Sequence, residues 1–378
     1  MSDDRINETS DQTQPVHIGH GGRVYGAARR WGVHPEEVVD FSANINPLGP
    51  SQRVMSAMGN TLGPASLRVY PDDQDFVTAL VGKHQRMHDE IVVTSGTASL
   101  MFAVMHAILP KRVLVLEPAF SEYARCCNAV NAEVTRWQLT EDDGFNPDFA
   151  QLLCVIKERR FDLVIINSPH NPTGNIYPRA SLLSLIHAAE ELETMVVLDE
   201  AFIDYAAEQS LISLAPTQRH LIVLRSLTKF YSMPGLRVGY AICNARLATM
   251  IRRQIDPWSV SMVALEAART ALNDETFIAE SLHVNAVARD EFAMALRDIG
   301  LFVFPSSANF LLVKLPNGSG TALQQWLDPE RILIRTCDSF LGLGDAFIRL
   351  AVRTSSENMR LASLIKRWLA GSRGSTYE

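Results

Sequence analysis

Short apolar runs of strand length alternate with helix-length segments along the middle of the chain. The runs are continuously apolar rather than alternating with polar residues, and they cover residues 91–94, 112–116, 163–166, 195–198 and 221–224. Helix-length segments such as residues 98–109 and 181–192 lie between them. Because continuous apolar runs are typical of strands buried on both faces, the pattern predicts an α/β layer fold around a mostly parallel sheet.

The pattern changes after residue 265. Two long helical stretches come first, and strands are then predicted at residues 308–314, 331–335 and 347–352. This order predicts a large domain over residues 51–265 and a smaller α+β domain over residues 266–378. Residues 1–16 are polar and acidic and are predicted to be a disordered leader.

Polar residues follow nearly every predicted strand of the large domain. They lie in the segments 95–97, 117–120, 167–171, 199–200 and 226–229. Ligands in α/β folds bind beyond the carboxyl ends of parallel strands. Since these ends meet at one edge of the sheet, the sequence predicts a ligand site there.

The segment 221–240, LIVLRSLTKFYSMPGLRVGY, contains the strongest candidate for chemistry. Apolar neighbours and nearby cations are expected to lower the pKa of Lys229, because both disfavour its ammonium form, and such a lysine suits a Schiff base. Ser226, Thr228 and Arg237 offer hydroxyls and a planar guanidinium that suit a phosphate. We therefore predict a site for pyridoxal 5'-phosphate (PLP); the alternative is a solvated, partly amphipathic loop.

Five further residues each allow a ligand role and a structural role. Asp199 would face a protonated pyridine nitrogen, or would cap a helix or pair with an arginine. Asn171 would meet a phenolate oxygen or stabilise a turn, and Phe120 would stack on the ring or pack in the core. Gly96 and Thr97 precede a helix, where they would bind a phosphate or cap the helix.

The remaining candidates lie outside the predicted large sheet. His20, in a glycine-rich segment, is either an anion ligand or part of a flexible turn. Asn44 contacts a ligand or caps its turn. Tyr70 is extended because a proline follows it, and it either reaches across an interface or packs locally. Arg335 and Arg349, near the ends of two predicted strands, converge on an anionic substrate or stay at the surface.

Composition narrows the possible functions. The chain has 378 residues, 47% of them hydrophobic and 20% charged, and a net charge of −7 without a basic block, so a nucleic-acid partner is not expected. No apolar run reaches the roughly 18 residues of a membrane span, and the N-terminus lacks a signal-peptide core. The five cysteines lack CxxC spacing. We therefore expect a cytoplasmic protein with reduced thiols and no metal site.

Four segments together resemble the fold-type I PLP enzymes of the class I/II aminotransferase superfamily. In the order expected for that superfamily they are SGT at 95–97, NPTG at 171–174, DEAFIDY at 199–205 and SLTKFYSMPGLRVGY at 226–240. The resemblance implies a large doubly wound domain and a small domain built from both chain ends. Residues 17–50 would then form an arm that contributes to the small domain. The resemblance also implies a homodimer.

The resemblance further implies a role for each matching position. Lys229 would bind PLP as a Schiff base and, with Asp199 at the pyridine nitrogen, would form the catalytic pair. The implied contacts to the phenolic oxygen, the ring face and the cofactor phosphate come from Asn171, Phe120, Gly96, Thr97, Ser226, Arg237 and, across the dimer interface, Tyr70. The implied contacts to the substrate come from His20, Asn44, Arg335 and Arg349.

Two branches of the superfamily fit the sequence. HGG at 20–22, DFSANINPLGP at 40–50, Phe202 and FIRLAVRT at 347–354 are similar to L-threonine-O-3-phosphate decarboxylases, which supply the aminopropanol linker of cobalamin. The alternatives are a histidinol-phosphate aminotransferase, where tyrosine is common in place of Phe202, and a serine-phosphate decarboxylase. A catalytically silent PLP-binding regulator is a third alternative, against which the intact pair of Lys229 and Asp199 argues.

Overall fold

The structure is a computed structural model that describes residues 5–7, 19–316 and 318–374. Its strands are β1 (Ile6–Asn7), β2 (Val39–Asp40), β3 (Ile91–Thr94), β4 (Arg112–Glu117), β5 (Glu133–Gln138), β6 (Leu163–Asn167), β7 (Met195–Asp199), β8 (Leu221–Ser226), β9 (Gly239–Ile242), β10 (Phe302–Val303), β11 (Phe310–Lys314), β12 (Ile332–Leu333), β13 (Arg335–Thr336) and β14 (Phe347–Ala351). Its α-helices are α1 (Val24–Trp31), α2 (Gln52–Thr61), α3 (Gln74–His84), α4 (Thr97–Ile108), α5 (Glu122–Ala129), α6 (Phe149–Arg159), α7 (Arg179–Glu191), α8 (Ala245–Arg252), α9 (Met262–Leu272), α10 (Glu275–Asp298), α11 (Gly320–Leu327) and α12 (Ser355–Gly374).

Eight strands form one large sheet in the order β1-β5-β4-β6-β7-β8-β9-β3. The five neighbouring strands β5, β4, β6, β7 and β8 are parallel, whereas β9 runs antiparallel to β8 and to β3. The prediction of an α/β fold around a mostly parallel sheet is confirmed. Strands β5 and β9 were not predicted: β5 alternates buried and partly exposed residues, and β9 is four residues long and follows the phosphate-binding segment directly.

Successive residues of the central strands enter opposite faces of the sheet. In β6, Leu163 and Ile165 pack into one apolar cluster, while Val164 and Ile166 pack into the other. Both faces are therefore covered by helices and loops, which is why these strands are continuously apolar.

Two smaller sheets complete the fold, and one of them joins the two ends of the chain. β10, β11, β14 and β13 form a four-stranded antiparallel sheet, and β12 pairs in parallel with β2 of the N-terminal segment. The single strand predicted at 331–335 is thus two strands, β12 and β13, which are separated by Ile334 and belong to different sheets. The domain boundaries given above stay predictions.

The predicted disordered leader, residues 1–16, lies outside the described residues except for 5–7. At these positions the structure departs from the expected disorder, since Ile6 and Asn7 pair antiparallel with β5. The amide of Gln138 also donates to the carbonyl of Arg5 at 2.9 Å. Without β1, strand β5 would be the edge of the large sheet, and its backbone amides and carbonyls would be free to pair with another segment. Within the described ranges, no helix has the length and hydropathy needed to cross a bilayer.

Candidate active site

A cavity of about 380 Å³ lies at the carboxyl ends of β4, β6, β7 and β8. Eleven of the thirteen predicted site residues line it: His20, Asn44, Thr97, Phe120, Asn171, Asp199, Ser226, Lys229, Arg237, Arg335 and Arg349. Gly96 is not among the lining residues but is in close contact with the side chain of Arg237, which is. Tyr70 does not line the cavity of its own chain; it is 71% exposed and stacks on Trp258.

Lys229 follows β8 and is half-buried. Burial, together with the positive charges of Arg349 and Arg237, lowers its pKa to about 8. These are the two causes expected from the sequence, an apolar setting and nearby cations. A substantial fraction of the amine is therefore neutral near pH 8, which suits covalent attachment to a carbonyl group.

Asp199 ends β7 as a buried carboxylate. It accepts hydrogen bonds from the Tyr123 hydroxyl at 2.6 Å and from the Ala201 amide at 2.9 Å. Burial raises the pKa of Asp199, and the two hydrogen bonds oppose that rise. In the part of the chain that the structure describes, no arginine or lysine pairs with this carboxylate, so a protonated ring nitrogen would supply the missing positive charge.

Close backbone contacts at two glycines build a cradle for a phosphate. A Cβ on Gly96 would lie 2.6 Å from Nη2 of Arg237, and a Cβ on Gly239 would lie 2.8 Å from the amide nitrogen of Thr97. The hydroxyls of Ser226 and Thr228 are 2.8 Å apart beside them. The N-terminus of α4, two hydroxyls and a guanidinium thus converge, which is the donor set that a phosphate ester requires.

Arg335 and Arg349 face each other across β13 and β14. Arg349 is buried and donates to Asn171 Oδ1 at 2.5 Å and to the Ser42 carbonyl at 2.8 Å. Arg335 donates to Ser339 Oγ at 2.6 Å and lies 5.0 Å from the ring centroid of Phe340. Burial lowers the pKa of both, to about 10 for Arg349. Because directly opposed like charges destabilise a strand pair, this wall of the cavity favours an anionic ligand.

Asn44 and His20 complete the cavity near these arginines. Asn44 is 1% exposed, and neither polar atom of its side chain has a hydrogen-bond partner among the described residues. Such a buried amide favours a polar ligand. His20 Nε2 lies 3.1 Å from Glu122 Oε1, and its ring centroid is 5.8 Å from that of Phe120.

Several site residues were missed from the sequence. Tyr123 follows Phe120 by three positions at the start of α5, a helical spacing that could have indicated a shared face. Behind the cavity, Arg225 donates to Asp204 at 2.6 Å and approaches Glu200 Oε2 at 3.4 Å. The sequence does contain a signal for that network: Glu200 directly follows Asp199, and Arg225 directly precedes Ser226.

Comparison with known proteins agrees with this geometry. Residues 36–365 match the family Aminotransferase class I and II. The chain belongs to this family. It is 35% identical to the threonine-phosphate decarboxylase of Salmonella typhimurium, over 93% of this chain and 97% of that protein. It is 27% identical to the adenosylcobalamin biosynthesis bifunctional protein CobDQ of Leptospira interrogans, over 94% of this chain and 41% of that longer protein.

Among solved structures, the histidinol-phosphate aminotransferase of Clostridium acetobutylicum superimposes with a TM-score of 0.79 at 30% identity. The match covers 87% of this chain and 98% of that one. The fold-type I assignment and PLP as the cofactor are therefore confirmed. The buried Asp199, the half-buried Lys229 with its lowered pKa and the phosphate cradle fit that cofactor. No cluster of three or more metal-ligating side chains occurs in the described ranges.

Proposed function

We propose that this protein is a PLP-dependent decarboxylase that converts L-threonine O-3-phosphate to (R)-1-aminopropan-2-ol O-phosphate and CO2. The observation that carries the proposal is the facing pair of Arg335 and Arg349 at the cavity. A substrate with a carboxylate and a phosphate offers an anion to each guanidinium and so relieves their repulsion. The likeness to the Salmonella decarboxylase over nearly its whole length supports the same substrate.

The product would supply the aminopropanol linker of cobalamin. The likeness to a bifunctional protein of adenosylcobalamin biosynthesis supports this pathway. For the protein itself we propose a cytoplasmic location, in keeping with its five free thiols.

The residues of the cavity have complementary roles in this reaction. When bound, PLP supplies an electron sink for the bond that breaks at the substrate Cα. Lys229 is the attachment point, and its Nζ returns a proton to Cα after CO2 leaves. Asp199 keeps the pyridine nitrogen protonated. Arg335 and Arg349 would hold both anionic groups of the substrate and so fix its orientation, which decides whether the carboxylate or the α-hydrogen leaves Cα.

The other predicted contacts stabilise the cofactor and the substrate. Asn171 meets the phenolic oxygen and Phe120 covers the ring face. The cofactor phosphate is held by Gly96, Thr97, Ser226 and Arg237. His20 and Asn44 complete the contacts to the phosphorylated substrate.

A histidinol-phosphate aminotransferase is the alternative with the most support, since a solved enzyme of that name shares the fold at 30% identity. Phe202 argues against it. The side chain of Phe202 is 5% exposed, and its ring centroid lies 5.0 Å from that of Phe310. It offers no hydroxyl where aminotransferases commonly have a tyrosine. A serine-phosphate decarboxylase is also possible on the same residues, because one substrate methyl changes selectivity by only about 1–3 kcal/mol.

The deciding experiment supplies PLP and threonine phosphate without a keto acid and measures CO2 and aminopropanol phosphate. Many turnovers are expected from the wild type and none from Lys229→Ala. Serine phosphate, assayed in parallel, ranks the two substrates. The proposal is wrong if no CO2 appears while histidinol phosphate and 2-oxoglutarate yield glutamate.

We further propose a homodimer in which Tyr70 reaches the cofactor phosphate of the other copy. The support is a surface of large apolar side chains around the stacked pair of Tyr70 and Trp258, whose ring centroids are 4.1 Å apart. Leu67, Val69, Tyr70 and Trp258 are 73%, 59%, 71% and 58% exposed. Apolar surface of this kind marks protein–protein contacts.

A further inference from the structure

Tyr123 touches both protein groups that face the cofactor ring. It lies in the first turn of α5 and is 4% exposed. Its hydroxyl donates to Asp199 Oδ2 at 2.6 Å, and its ring stands at 88° to that of Phe120 with the centroids 5.8 Å apart. One side chain therefore limits the movement of both groups.

The hydroxyl remains a donor throughout the physiological pH range. Burial and the neighbouring Asp199 carboxylate hold the pKa of Tyr123 well above its usual value. The Asp199 carboxylate receives one hydrogen bond on each oxygen, from Tyr123 and from the Ala201 amide. Two fixed donors on opposite oxygens prevent rotation of the carboxylate and stabilise its charged form.

We infer that Tyr123 is a positioning residue for the cofactor, holding the Asp199 carboxylate and the Phe120 ring in the geometry that binds PLP. This inference rests on the PLP site of the proposed function but not on the identity of the substrate. Tyr123 acts through Asp199 and Phe120, and its hydroxyl is committed to Asp199.

The test is the dissociation constant of PLP, measured with Tyr123→Phe by equilibrium dialysis. We expect an increase of about 10-fold or more, because the variant loses a hydrogen bond to a charged group. With threonine phosphate, kcat should fall while KM changes by less than about two-fold, since Tyr123 does not contact the substrate arginines. The visible absorbance band of the bound cofactor should also shift.

Tyr177→Phe is the matched control. Tyr177 is 1% exposed, and its hydroxyl has no hydrogen-bond partner among the described residues. This control also removes a hydroxyl oxygen from a buried tyrosine, in the apolar cluster on the other face of the sheet, and should leave PLP affinity unchanged. If Tyr123→Phe lowers the melting temperature but leaves PLP affinity and absorbance unchanged, Tyr123 is only structural and the inference is wrong.

A double-mutant cycle adds a test that does not depend on stability. In the Asp199→Asn background, Tyr123→Phe should change the PLP dissociation constant by less than about two-fold, because its target carboxylate is gone. An equal 10-fold effect in both backgrounds would overturn the inference. Neither result depends on CO2 release, so failure of the proposed decarboxylation would be recognised separately.

Discussion

The pKa of Lys229 is lower than that of an exposed lysine, so a larger fraction of its amine is neutral. The sequence predicted this from apolar neighbours and nearby charge, and the structure assigns the charge to Arg349 and Arg237. Arg237 lies within the same segment, whereas Arg349 comes from β14. The direction of the shift was thus predictable from local sequence, but the contribution of Arg349 depends on tertiary structure.

This pKa gives a pH-dependent stability in the cofactor-free protein. Lys229 titrates at about 8 when folded and at about 10.4 when unfolded. Below pH 8 it is charged in both states, so the full cost of burying the charge is present. Between these values the unfolded chain binds more protons, and stability rises with pH.

Lys229→Met removes this effect. We expect the variant to be more stable than the wild type at pH 7 by up to about 3 kcal/mol, with the difference shrinking towards pH 10. Urea unfolding of the wild type and of Lys229→Met at pH 7 and at pH 10 measures this difference in stability. A difference that does not change with pH would contradict the assigned pKa.

At the scale of elements, the register of β13 against β14 sets the arginine-lined wall of the cavity. The sequence predicted strands there and named Arg335 and Arg349, but it treated 331–335 as one strand. Strand register depends on the turn between the strands, and this turn, residues 337–346, has no simple hairpin pattern. The direct opposition of the two arginines was therefore not predictable.

Arg335→Leu tests that opposition. It removes one of two facing cations, so the ligand-free protein should be as stable as the wild type or more stable. The KM for threonine phosphate should rise by about 10- to 100-fold through loss of a charge-assisted contact. In the PLP-loaded proteins, where the cofactor phosphate already fills the cradle, inorganic phosphate should raise the melting temperature of the wild type but not of this variant. Arg331→Leu, at an exposed arginine that pairs with Glu37, is the control and should behave as wild type.

Strand β9 must approach the start of α4 closely for the cradle to form. A methyl group on Gly239 would meet the Thr97 amide nitrogen at 2.8 Å and the Arg225 carbonyl at 3.2 Å. Gly239→Ala should therefore displace α4 and weaken PLP binding by at least about 10-fold, measured by dialysis. Gly235→Ala, in the loop just before β9 and with no atom within 4 Å of the added carbon, should bind PLP normally. Equal affinities for the two variants would contradict the cradle.

At the scale of the whole molecule, the cavity collects side chains from the large sheet and from both chain ends. The large-sheet side was predictable, because polar residues follow strands whose carboxyl ends must meet at one edge. Asn44 and Arg349 were named from local patterns with a structural alternative left open for each, and only the family resemblance implied that both contact the substrate. Hydrogen bonds such as that from Tyr123 to Asp199 were not predicted, since they depend on how α5 packs against β4 and β5.

Hybrid dimers test whether Tyr70 acts across an interface. Lys229→Ala protein keeps Tyr70 but lacks the attachment lysine, and Tyr70→Ala protein has the opposite defect. Mixed dimers should regain activity, because one of their two sites then combines Lys229 of one chain with Tyr70 of the other. After dissociation and remixing, CO2 release above the sum of the separate proteins is expected. No gain, with mixed dimers verified by mass spectrometry, would mean that Tyr70 does not act in trans.

The parallel pairing of β2 with β12 has a consequence for biosynthesis. The amide of Phe41, just after β2, donates to the Leu333 carbonyl, and the Phe41 carbonyl accepts from the Ala351 amide. A segment made early is therefore completed by segments made late. Ser42, next to Phe41, holds Arg349. On the ribosome, the large sheet can assemble while residues 39–42 still lack their partners. The arginine-lined wall of the cavity therefore forms only after residues 333–351 have been made.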